Sequence, residues 1–131
     1  MKRYLDEKGS KEISEYFIKA DTIWVSYLNE LESLSTIRRL LEEKRMTQED
    51  YNSFREEIDK DYLDFFKVEY SQVIQEKTKD IIDRYQLKTL DAIHLAACLS
   101  IKKNIDAFVC CDKKLANAAK KEKLKVLNPL G

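Results

Sequence analysis

Apolar residues recur at helical spacing through most of the chain, interrupted by short unbroken apolar runs, and that alternation sets the expected architecture. Ile13, Phe17 and Ile18 form one stripe, so a helix capped by Ser10 is expected over residues 11–19. The run Thr22-Ile23-Trp24-Val25-Ser26 reads as a short buried strand. In the next segment Leu28, Leu31, Leu34, Ser35, Ile37, Leu40 and Leu41 share one side of a long helix that ends near Lys44 to Met46. Thr47-Gln48-Glu49-Asp50 has a capping-box pattern and opens a second amphipathic helix through Tyr51, Phe54, Ile58, Tyr62 and Phe65. These aromatic side chains read as core rather than as a platform for stacked bases. Residues 66–69 then read as a strand and 71–85 as a helix. The last third predicts a helix over 89–102, a strand over 107–111, a helix over 113–122 and a closing strand over 125–127. Strands alternating with helices predict a parallel sheet with right-handed crossovers.

A chain of 131 residues with two Gly and one Pro has no obvious linker and suits a single domain over residues 1–131. Its longest apolar stretches fall short of the roughly 18 residues of a membrane span, and its lysine-rich start lacks a signal-peptide core. A soluble, cytoplasmic protein is expected. Cys98, Cys110 and Cys111 are odd in number, lie on apolar segments and lack zinc-site spacing, so reduced, buried thiols are expected. The 24 basic and 24 acidic residues balance overall but are unevenly placed: nine Lys face four acids from Gln86 onward. Phosphate backbones are attracted to such a surface. The plainer account is that Lys120, Lys121 and Lys123 solvate a helix end and favour its dipole.

The chemistry-bearing residues lie in that basic part. Asp91 opens one apolar helix, and Asp112 closes the apolar run Phe108-Val109-Cys110-Cys111. If that helix feeds that strand in an α/β sheet, both carboxylates reach the crevice at the strand's carboxyl end, where a hard divalent cation is a suitable ligand. Each acid also has an ordinary explanation, the helix dipole for Asp91 and an N-cap for Asp112. His94, the only histidine, shares a face with Asp91 and reads as a packed or supporting side chain rather than a general base. Glu32 lies one to two turns into the helix after the first apolar strand and is the third acid of interest.

Leu90-Asp91-Ala92-Ile93-His94-Leu95-Ala96, Phe108-Val109-x-x-Asp112 and Leu115-x-x-Ala118-Ala119 together resemble the PIN-domain ribonucleases, and among them the VapC-type toxins of prokaryotic toxin–antitoxin pairs. Upstream, Val25-Ser26-x-Leu28-Asn29-x-x-Glu32-x-x-Ser35 is similar to the family's Ser-x-x-Thr-x-x-Glu stretch, with Asn29 in place of the usual hydroxyl residue. The resemblance implies a three-layer α/β fold with a central parallel sheet between helices. It also implies a metal-dependent endoribonuclease in which Glu32, Asp91 and Asp112 hold Mg²⁺ or Mn²⁺, with Asn29 and His94 behind them. RNA as substrate, a cognate antitoxin and a second copy of the chain are the implied partners.

The family's opening strand and its first acid have no clear counterpart. In one register Asp6 is that acid; in the preferred one residues 2–10 match the end of the family's first helix, Asp6 is a loop acid, and the usual first strand is missing or replaced. The rival expectation is a truncated, catalytically silent PIN-like module that acts by protein binding or self-association.

Overall fold

Thr47, Ser71 and Asp112 each start a helix by accepting a backbone amide that the first turn leaves without a partner. The computed structural model describes residues 15, 16, 19, 20 and 22–129. Asp6 and both registers of the start lie outside the described residues, and of the expected opening helix only Glu15, Tyr16 and Lys19 are described, all helical. The chain divides into two compact units, Met1–Lys67 and Val68–Gly131.

In the first unit a short strand β1 (Trp24–Ser26) leads into helix α1 (Asn29–Glu42). Thr47 caps helix α2 (Gln48–Asp64), its hydroxyl accepting the Asp50 amide at 3.1 Å, as the capping pattern predicts. Strand β2 (Phe66–Val68) follows and pairs with β1, and the ring of Phe66 stacks on Trp24 with centroids 5.0 Å apart. Ile37 of α1 packs with Ile58 and Tyr62 of α2, and Tyr51, Phe54 and Phe65 close around them. The aromatic stripe of α2 is therefore largely core, in line with its spacing.

The second unit contains helices α3 (Gln72–Tyr85), α4 (Thr89–Ser100) and α5 (Lys113–Lys121), with strands β3 (Phe108–Val109) and β4 (Val126–Leu127). Ser71 caps α3 by accepting the Ile74 amide at 3.2 Å. Helix α4 is buried on several sides through Ala92, Leu95, Ala96, Ala97 and Cys98, and it packs against both α3 and α5. Its small residues let those neighbours approach closely. A 3-10 turn (Lys102–Asn104) ends the segment that the sequence reads as one helix to residue 102. Strands β3 and β4 are parallel, with Phe108 opposite Val126 and Val109 opposite Leu127.

The structure is mixed α/β with parallel strands, as expected. Where the sequence suggests one central sheet, the described strands form two pairs, β1 with β2 and β3 with β4. None of the five helices ends on glycine; α3 stops at Gln86 with φ 54°, and two others close with a paired set of bonds. After α1, Arg45 N donates to Leu40 O and Lys44 N to Leu41 O; after α5, Leu124 N donates to Ala119 O and Lys123 N to Lys120 O. Both are Schellman closures, and both place a lysine at positive φ, 58° for Lys44 and 66° for Lys123. A non-glycine residue there costs about 1–2 kcal/mol of backbone strain.

Candidate active site

Asp112 stands where β3 gives way to α5. Its Oδ1 accepts the Leu115 amide at 2.8 Å, so the residue is the N-cap of α5. No hydrogen bond to its second oxygen is found among the described residues, and the side chain is exposed. Asp91 occupies the first turn of α4, half-buried, where the helix dipole favours a carboxylate. Both carboxylates bear on one neighbour: the Cys110 thiol is pushed up to about 11, by burial first, then by Cys111, Asp112 and Asp91. Asp112 thus lies just past the carboxyl end of β3, and Asp91 is near enough to the Cys110 thiol to act on its charge.

His94 follows Asp91 by three residues on the same face of α4, half-buried, and both side chains have interaction partners. Glu32 lies in the first turn of α1, exposed and with a partner of its own. Asn29 opens α1, and its Oδ1 accepts the Tyr62 hydroxyl, which also lies 3.3 Å from Ser33 Oγ. Ser33 and Tyr62 are buried, and burial is the main cause that raises the Tyr62 pKa. Asn29 therefore helps satisfy a buried hydroxyl inside the first unit. Nothing in the spacing of Asn29, Ser33 and Tyr62 announces that network, because Tyr62 lies 33 residues away from Asn29.

The three cysteines are free thiols. Cys98 is buried and its thiol is pushed up to about 12, chiefly by burial and secondarily by Cys110. Thiols held protonated in this way are poor ligands for soft metals near neutral pH. Among the described residues no group of three or more His, Cys, Asp and Glu side chains is placed to hold a metal ion. A pair of carboxylates nonetheless suits Mg²⁺, which needs one or two protein oxygens and keeps several waters. Asp112 can cap α5 with one oxygen and offer the other.

No helix among the described residues is long and apolar enough to cross a membrane. A search of curated proteins finds no match to the chain. A family profile described as PIN domain matches residues 3–121, a span that includes Glu32, Asp91, His94 and Asp112. The chain belongs to the PIN-domain family, whose members are nucleases that act on RNA and generally use divalent metals.

Proposed function

We propose that this protein is an endoribonuclease of the VapC toxin type, with Asp91 and Asp112 as metal-holding carboxylates and Glu32 as a third acid. The observation that carries the reading is the family match over residues 3–121, a span that contains both acids. A bound Mg²⁺ or Mn²⁺ would polarise the phosphoryl oxygen and lower the pKa of a water for in-line attack. Asp112 sits on the rigid junction between β3 and α5, and its bond to the Leu115 amide fixes its rotamer. Asp91 is held by the first turn of a buried helix, and His94 one turn on occupies the same face. The role of Glu32, a cognate antitoxin and a second copy of the chain are supported by the motif resemblance.

The test is cleavage of structured RNA with Mg²⁺ or Mn²⁺, comparing the chain with an Asp91→Asn, Asp112→Asn double substitution and with Glu32→Gln. Loss of cleavage by at least 100-fold in the double variant is expected, a size typical of removing charge-stabilising groups from an active site. Equal cleavage by both proteins removes the assigned site. No cleavage by either would leave the silent, protein-binding module as the better reading.

A further inference from the structure

The parallel pair β3/β4 has two ends, and Asp112 follows the carboxyl end of β3. At the other end, where the chain enters both strands, an open groove of about 200 Å³ is lined by Lys102, Asp106, Lys123, Leu124 and Lys125, among others. That is smaller than the roughly 300 Å³ at which small-molecule pockets begin. It suits one charged group with its water rather than an apolar ligand.

Three lysines and one aspartate are among the residues that line this groove, a local surplus of two positive charges in a chain whose total charge is zero. Lys102 Nζ donates to the Glu122 carbonyl at 2.7 Å, which fixes it at the end of α5 and leaves it two further donors. Among the described residues neither Lys123 nor Lys125 is in an ion pair, and Asp106 does not neutralise either one. Leu124 is buried at 8% exposure and pins the loop between them. The groove therefore carries a net positive charge, with Lys123 and Lys125 outside any ion pair among the described residues. Lys123 also holds the positive φ at which glycine would be the relaxed residue.

We infer that this groove is a phosphodiester anchor for single-stranded RNA, separate from the Asp91 and Asp112 carboxylates. The inference rests on the ribonuclease reading for the identity of the ligand. Ala107 and Asp112 are separated by five residues along β3 and its flanks, roughly 16 Å at the rise of an extended chain. An RNA strand gripped at the groove can therefore present a distant phosphate to Asp91 and Asp112, so the anchor adds affinity without touching the reacting group.

The experiment measures fluorescence anisotropy of a labelled single-stranded oligoribonucleotide in EDTA, where no cleavage occurs, across a series of KCl concentrations. A Lys123→Ala, Lys125→Ala variant is expected to bind about tenfold more weakly and to lower the slope of log affinity against log salt by about 1.4, two single-strand phosphate contacts. A Lys77→Ala, Lys79→Ala variant removes equal charge from α3 and is expected to stay within twofold of the parent. Equal losses in the two variants would reduce the effect to net charge and overturn the anchor, as would failure of the parent chain to bind the RNA.

Lys44→Gly and Lys123→Gly give a second readout. Both relieve the same strain and are expected to raise Tm by about 3 °C, yet only Lys123→Gly should weaken RNA binding. A matching affinity in these two variants also overturns the proposal. RNA binding that depends on Lys123 and Lys125 without metal-dependent cleavage would sink the nuclease reading and leave the anchor standing. Cleavage with unchanged binding in the lysine variants would do the reverse.

Discussion

The two units fill their interiors by different means. The first is centred on Ile37, Ile58 and Tyr62, large side chains ringed by further aromatics, with a buried hydroxyl tied to Ser33 and Asn29. The second buries Ala92, Ala96, Ala97, Ala116, Ala118 and Ala119 around Leu95, Ile74 and Ile81. One core occupies its space with side chains; the other removes space by bringing helices together. The consequence is functional as well as structural. Asp91 stands on the closely packed helix and Asp112 at the start of its neighbour α5, where the backbone has little room to shift.

Substitutions of opposite sense test that contrast. In the first unit Ile37→Ala or Ile58→Ala is expected to cost about 2–5 kcal/mol in urea denaturation, whereas in the second Ala96→Leu is expected to cost about 1–3 kcal/mol by overpacking. Tolerance of Ala96→Leu would break the comparison. A pH effect sharpens it. Folding pushes the Cys98 thiol up from 9.0 to about 12, chiefly by burial. Its raised folded value favours the native state fully below pH 9, and that contribution is lost as pH rises towards 12, on the order of a few kcal/mol in all. Denaturation midpoints followed from pH 8 to 11 should fall less steeply for Cys98→Ala than for the parent, and parallel curves would contradict the burial of this thiol. Tyr62→Phe is expected to cost about 1–3 kcal/mol, because it leaves Ser33 and Asn29 short of a partner. A neutral result would mean that water satisfies both.

Elements with a strong local cause were legible from the sequence. Thr47, Ser71 and Asp112 each cap the helix expected to follow, and the apolar periods of α1 to α5 locate all five. The ends were less legible. The helix expected to reach residue 102 gives way to a 3-10 turn, and the strand expected over 107–111 shortens to Phe108–Val109. Strand pairing is decided by contacts far apart in sequence, so the separate β1/β2 and β3/β4 pairs could not be read from local pattern. At the site, Asp91 and Asp112 were recognisable because each carries a local signature. Lys102 and Lys125 were not, since 23 positions separate them and only the fold places them on one groove. The basic surplus after Gln86 was visible, but its division between helix ends and groove was not.

Glu122 takes part in more than one closure. Its carboxylate accepts Arg84 Nη1 at 2.7 Å and the Tyr85 hydroxyl, while its carbonyl accepts Lys102. The last turn of α3, the turn after α4 and the end of α5 therefore converge on a single residue. Opening of the α5 end releases the partners of both other ends at once, so these helix ends are expected to exchange their amide hydrogens together with the end of α5. The Tyr85 hydroxyl and Arg84 hold the Glu122 carboxyl below its ordinary range.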